Sequence, residues 1–146
     1  MAKHTGSAIW HGGLKEGKGN VSSQSGALNA AYSYRTRFED DLSGTNPEEL
    51  IGAALAGCFS MFLSSLVEKH GHKPKHIQTD AHVTLTVGEN GPTITHIELK
   101  TEAAIKDIEE NDFQKHVQEA KANCPVSKAL AGGPEITVSA VLRDED

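Results

Sequence analysis

The stretch NPEELIGAALAGCFSMFLSSLVEKHG, residues 46–71, decides how the rest of the chain is read. It opens with Asn46 as an N-cap, Pro47 at the first helical position and Glu48 and Glu49 in the first turn. Asn46 and Glu49 stand at capping-box spacing. It closes with His70-Gly71 and a proline at position 74, a C-terminal glycine cap followed by a breaker. Start and stop together predict a helix of about 24 residues, roughly 36 Å long at 1.5 Å per residue. Its large side chains fall in two adjacent i, i+4 rows: Leu50, Cys58, Phe62 and Leu66, then Ile51, Leu55, Phe59, Leu63 and Val67. A third row, Gly52, Ala56, Ser60 and Ser64, is small and would let another backbone approach closely. Both sides of this helix are therefore expected to be buried. Residues 50–67 carry no charge, but the many Gly, Ala and Ser fillers and the caps at both ends favour a core helix over a membrane span.

Outward from the helix, the period changes from 3.6 to two. Ile77, Thr79, Ala81, Val83, Leu85 and Val87 alternate with polar residues, Gly88-Glu89-Asn90-Gly91 turns the chain, and Ile97, Leu99, Thr101, Ala103 and Ile105 alternate again. This hairpin has one apolar face to lay on the helix. Asp107 and Glu110 open a second helix in capping-box spacing, with Phe113, Val117, Ala120 and Cys124 on its apolar side, and Pro125 starts a short turn through Leu130. A last strand alternates at Ile136, Val138, Ala140 and Leu142. Before the long helix, Gly- and Ser-rich sequence holds short strands around Ala8–His11, Gly19–Ser23 and Tyr32–Phe38. No repeat or linker divides the chain, so residues 1–146 are read as one α+β domain with a mainly antiparallel sheet.

The bulk composition narrows the partners. Against 20 Asp plus Glu there are only 14 Lys plus Arg, for a net charge of -6, with no basic run. Nucleic acid and membrane surfaces are disfavoured, because neutralising phosphates needs a basic face. The first seven residues lack the apolar stretch of a secretory signal, which makes the cytoplasm the expected compartment. There, thiols are kept reduced, and a pair of cysteines points to catalysis, redox sensing or metal binding more than to a structural disulfide.

Cys58 and Cys124 both lie on apolar helix faces. Free cysteine packs as a small hydrophobe, so helical position alone does not separate a reactive thiol from an inert one. A thiol with pKa near 8.5 is only about 3% thiolate at pH 7, so reactivity requires a nearby cation. Arg35 and Arg37, just upstream of the long helix, are the candidates.

The runs Thr36-Arg37-Phe38-Glu39, Gly44 to Ala54, Cys58-Phe59-Ser60-Met61 and Cys124-Pro125-Val126-Ser127 occur in this order. In that order, and over essentially the full length, the chain resembles the OsmC/Ohr family, and its OsmC branch most. The resemblance implies an OsmC-like fold, with the sheet wrapped around the long central helix in an intertwined homodimer. It also implies a thiol-dependent peroxidase for organic hydroperoxides, acting less well on hydrogen peroxide. Matched residue by residue, Cys58 is the peroxidatic cysteine, Cys124 the resolving cysteine, Arg37 the thiolate-stabilising arginine and Glu48 the carboxylate paired with it. The disulfide so formed would be reduced by an external dithiol, lipoyl-type or thioredoxin-like, with no metal, haem or flavin cofactor. Leu55, Phe59 and Phe62 would favour an apolar substrate, although the same residues serve equally as core.

Helix geometry adds an expectation about the assembly. Glu48 and Cys58 are ten residues apart, about 15 Å of rise on an unbroken helix. The Arg37–Glu48 pair that serves Cys58 is therefore expected from the partner subunit, across an interface built on the long helix and its small-residue row. Three other readings compete. A metal site at His70, His72 and His76 would straddle a Gly and Pro loop, too mobile for a fixed ligand set. A Cys–His hydrolase lacks an orienting histidine in any motif. A non-catalytic redox-sensing or apolar-ligand-binding dimer would keep the thiols and the cavity without turnover.

Overall fold

The structure, a computed structural model, describes residues 1–143, and the chain divides into two units, Met1–Leu50 and Ile51 onward. The first unit carries an antiparallel sheet of β1 (Gly6–His11), β2 (Lys18–Ser23) and β3 (Asn29–Tyr32), in the order β1-β2-β3. The third strand stops at Tyr32 rather than running to Phe38. Ser33 instead caps a short helix, α1 (Tyr34–Phe38): its hydroxyl accepts from the Thr36 N–H at 3.2 Å, and the Thr36 hydroxyl accepts from the Ser33 N–H at 2.8 Å. This reciprocal box satisfies locally the donors that a strand would have offered to a neighbour. The expected strand over residues 32–38 is thus corrected to a strand end and a helical turn, which places Arg37 on α1.

The long helix is α2 (Pro47–Lys69), 23 residues. Asn46 Oδ1 accepts from the Glu49 N–H at 2.7 Å at its start. At its end the His72 N–H reaches the Val67 carbonyl at 3.0 Å and the Gly71 N–H the Glu68 carbonyl at 3.0 Å, with Gly71 in the left-handed conformation at φ 88°. Those two bonds form a Schellman motif, which needs a residue without a Cβ penalty at that position.

In the second unit β4 (Pro74–Gly88) and β5 (Gly91–Ile105) form the antiparallel hairpin, and β6 (Glu135–Arg143) joins β5. β6 runs parallel to β5, because the chain between them returns through α3 (Glu110–Asn123) and α4 (Pro125–Ala129) as a crossover. Only the first pairing in this sheet is antiparallel. α3 begins later than the capping-box reading: Asp107 takes a left-handed φ of 60°, and Glu109 stands at the N-cap without a side-chain bond. Asp adopts that conformation more readily than most residues, which lets the chain turn before the helix starts.

The core of this unit joins Leu55, Phe59, Leu63 and Val67 of α2 to Ile97 and Leu99 of β5 and to Phe113 and Val117 of α3, all fully buried. The small row of α2 admits a close backbone, as its spacing suggests, but the backbone is that of a strand in the same chain. A Cβ on Gly52 would stand 3.2 Å from the Ala81 carbonyl oxygen, and Ser60 Oγ hydrogen-bonds Thr79 Oγ1 at 2.7 Å. The row therefore seats the helix on its own β4. The neighbouring row, Ala53, Gly57, Met61 and Ser65, is exposed, Met61 at 78%. α2 is long and apolar enough to cross a membrane by length and composition, yet its Leu55–Phe59–Leu63 row is taken up by the sheet.

Candidate functional site

The two cysteines come together inside the second unit. Cys58 sits in the middle of α2, half-buried; Cys124, the residue between α3 and α4, is fully buried, and both are free thiols. Pro125 fixes the geometry there. It ends α3, since it offers no N–H to continue the ladder, and it starts α4 at the position where a missing donor costs nothing. The turn aims the Val126 N–H at the Cys58 sulfur and lets the Cys124 thiol donate to Ser127 Oγ at 3.1 Å. The Cys124 thiol lies near enough to Cys58 to act on its titration. The result is a short chain of contacts from the accessible thiol to the buried one and on to a buried hydroxyl.

Burial pushes the Cys58 thiol up from its ordinary range. The Val126 N–H opposes this by stabilising the thiolate, and the Cys124 thiol, through its hydrogen bond and its charge, pushes the same way as burial. One backbone donor against desolvation leaves the thiol protonated at neutral pH, so activation needs a further positive charge.

The first unit holds an arginine fixed by an ion pair. Arg37 donates from Nε to Glu48 Oε1 and from Nη2 to Glu48 Oε2, each at 3.0 Å, a bidentate pair in which Glu48 is only 6% exposed. Asn46 Nδ2 donates to the Thr36 carbonyl at 2.9 Å and fastens α1 to the start of α2. Glu49 is exposed, and Arg35 faces Glu39 and Asp41 at 3.7 and 3.8 Å on the surface. The bidentate bonds engage Nε and Nη2 of Arg37 and leave Nη1 outside the pair.

The three apolar residues expected to line a substrate pocket have different fates. Leu55 and Phe59 are fully buried in the core, so neither presents surface to a ligand within the chain; Phe62 is half-buried against that core. This corrects the pocket expectation for Leu55 and Phe59: the i, i+4 row that faces the sheet cannot also face a solute. Val126 and Ser127 are contacts to the thiols that helical periodicity does not reveal, although the Cys-Pro-x-Ser spacing places a hydroxyl three residues on, where a helix-start side chain folds back. Among the described residues no group of three or more His, Cys, Asp or Glu is arranged to hold a metal ion. His70 instead stacks against His116 at 4.7 Å and bonds the Leu66 carbonyl through Nδ1 at 2.9 Å.

With this geometry in hand, the chain's similarities can be weighed. The model of the OsmC-like protein family matches residues 39–139. Peroxiredoxin OsmC of Escherichia coli K12 is 48% identical over 139 residues, 94% of this chain and 95% of that protein. Organic hydroperoxide resistance protein-like 1 of Staphylococcus saprophyticus is 30% identical over 109 residues, 72% of this chain and 74% of its own length. Among solved structures, the organic hydroperoxide resistance protein OhrB of Bacillus subtilis superposes with a TM-score of 0.67 at 26% identity, covering 95% of this chain and 98% of that one. An OsmC-like protein of unknown function from Vibrio cholerae reaches 0.76 at 17% identity, over 97% of this chain and 100% of its own, which speaks to the fold alone.

Proposed function

The chain belongs to the OsmC-like protein family, and from that premise we propose that it is a thiol-dependent peroxidase that reduces organic hydroperoxides to alcohols. The observation that carries the reading is the thiol pair: a half-buried Cys58 whose titration is governed in part by a neighbouring, fully buried Cys124. Unequal exposure divides the labour. The Cys58 thiolate attacks the terminal oxygen of ROOH; the O–O bond breaks, the alkoxide leaves and takes a proton as ROH, and Cys58 becomes a sulfenic acid. Cys124 then attacks the sulfenic sulfur, the S–O bond breaks, the departing hydroxide takes the Cys124 thiol proton and leaves as water, and a Cys58–Cys124 disulfide forms. A dithiol donor, lipoyl-type or thioredoxin-like, supplies two electrons and two protons to restore both thiols. The Cys124 thiol is a neighbour of Cys58, which favours the second step within one chain.

Arg37, held by Glu48, lowers the cost of the Cys58 thiolate and hydrogen-bonds the peroxide. We place this pair on the partner subunit of a homodimer. The 15 Å of helical rise between Glu48 and Cys58, an approximate figure from 1.5 Å per residue, supports that placement. So does the exposed apolar row Ala53, Gly57 and Met61 on α2, which borders Cys58 and which a second copy would cover. The cytoplasm is the compartment we propose, where dithiol donors keep such a cycle running. Consumption of cumene hydroperoxide with dithiothreitol as donor tests the activity. Wild type should turn over, Cys58→Ser should lose turnover by at least about 10³-fold, the scale of losing a nucleophile, and undiminished turnover in that variant would refute the reading.

A further inference from the structure

The first unit holds an aromatic cleft that the thiol chemistry leaves unused. Trp10 on β1, Gly19 on β2 and Tyr32 on β3 stand side by side across the sheet, because the register pairs Trp10 with Gly19 and Gly19 with Tyr32. Gly19 makes the row possible. A Cβ there would lie 2.6 Å from Trp10 Cε3 and would also collide with the Tyr32 ring, so the two rings close over a bare backbone with centroids 5.3 Å apart. The indole is anchored, since Trp10 Nε1 donates to the Gly12 carbonyl at 3.0 Å. On α1, Tyr34 and Phe38 pack at 5.0 Å, and the Arg37 guanidinium lies over the Phe38 ring at 5.3 Å. Together with Leu14, exposed at 63%, these side chains line a mostly apolar cleft of about 250 Å³.

We propose that this cleft receives the organic group of the hydroperoxide and favours an aromatic one, an inference that rests on the peroxidase reading. Three features point to that occupant. The volume lies just below the roughly 300–1,000 Å³ of drug-sized sites, which suits a small solute. Trp10, Tyr32, Tyr34 and Phe38 supply most of the lining, and aromatic side chains pack a flat hydrocarbon better than a polar solute. Arg37, the residue proposed to bind the peroxide oxygens, forms one wall, and its Nη1 stays outside the Glu48 pair. An oxygen bound there leaves its carbon substituent beside the rings. The specificity surface is thus carried by the strand and α1 residues, not by Leu55 and Phe59.

Hydrogen peroxide has no organic group, so it serves as the internal reference. The ratio of kcat/KM for cumene hydroperoxide to that for hydrogen peroxide should fall at least tenfold in Tyr34→Ala and in Leu14→Glu, and Tyr34→Phe should retain it. Leu14 is exposed, so Leu14→Glu tests the cleft even where Tyr34→Ala fails to fold. Trp10 is the only tryptophan of the chain, so its fluorescence reports on the cleft directly. Titration of wild type with cumyl alcohol, an unreactive product, should give a saturable change that Leu14→Glu abolishes. Equal losses for both peroxides, a fluorescence that does not respond, or a Leu14→Glu protein that becomes monomeric because a second copy fills the cleft would each overturn the proposal. A saturable response in a protein that reduces no peroxide would overturn the peroxidase reading together with the substrate assigned here. Full turnover without a response would overturn the cleft alone.

Discussion

Cys58, the thiol proposed to carry the chemistry, is held by its own chain in the less reactive state. Burial and the Cys124 thiol both favour the protonated form, and the Val126 N–H alone opposes them. An arginine brought to the sulfur would reverse the balance. The pH dependence of Cys58 alkylation by iodoacetamide should therefore inflect at higher pH in Arg37→Ala than in wild type, with peroxidase kcat/KM down about tenfold or more. Identical inflections would exclude Arg37 as the activating charge. A second titration belongs to His116, which is 9% exposed with Nδ1 buried and without a partner. Burial first, and then the neighbouring His70, hold it below the ordinary histidine range; Glu119 and Asp112 pull the other way, and His72 adds the smallest push downward. The unfolded chain consequently binds the proton first as pH drops. The stability from neutral His116 is complete above about pH 6.5 and is lost progressively as pH falls from there through the lower folded value. The fall in Tm between pH 7.5 and 5.5 should be larger for wild type than for His116→Phe, and equal falls would contradict this.

At the scale of elements, α2 does two jobs with adjacent rows. The Leu55–Phe59–Leu63–Val67 row builds the core, and truncating it leaves a cavity: Phe59→Ala should cost about 3–5 kcal/mol in denaturant unfolding. A cost below about 1 kcal/mol would place Phe59 outside the core. The exposed Ala53–Gly57–Met61 row is proposed to meet the partner subunit of a homodimer. Met61→Arg should convert the dimer to monomer in light scattering and depress peroxidase activity with it, whereas an unaltered dimer would move the interface elsewhere. Much of this helix was legible in the sequence, because its caps and its periodicity are local properties: Asn46, Gly71 and the i, i+4 rows bring it within one residue of its observed span. The β4–β5 hairpin was legible for the same reason. What local pattern could not reveal is which partner each face meets. The small row looked like an interface and instead seats β4; the strand expected through Phe38 yields to the Ser33–Thr36 box; and β6 joins in parallel because a crossover, not a hairpin, delivers it. The Trp10–Tyr32 cleft was equally invisible, since its rings meet through strand register across a glycine, and hydrophobic periodicity carries no sign of it.

For the whole molecule, the fold explains how the two thiols proposed to react, 66 positions apart, become neighbours: α3 ends at Cys124 and Pro125 turns the chain back onto the middle of α2. The proposed sharing of Arg37 between subunits has its own test. Cys58→Ser subunits, inactive alone, and Arg37→Ala subunits, about tenfold or more impaired alone, should together give mixed dimers with about half of a wild-type dimer's activity, since one of the two sites then joins an intact Cys58 to Arg37 of the partner subunit. Mixed dimers without activity would return Arg37 to its own subunit. The central claim, a two-cysteine peroxidase cycle, is tested most directly by thiol titration with intact mass after one equivalent of cumene hydroperoxide. Both thiols should vanish together with a loss of about 2 Da, and Cys124→Ser should instead gain about 16 Da as a sulfenic acid at Cys58. Retention of both thiols in wild type, or loss of Cys124 with Cys58 intact, would contradict it.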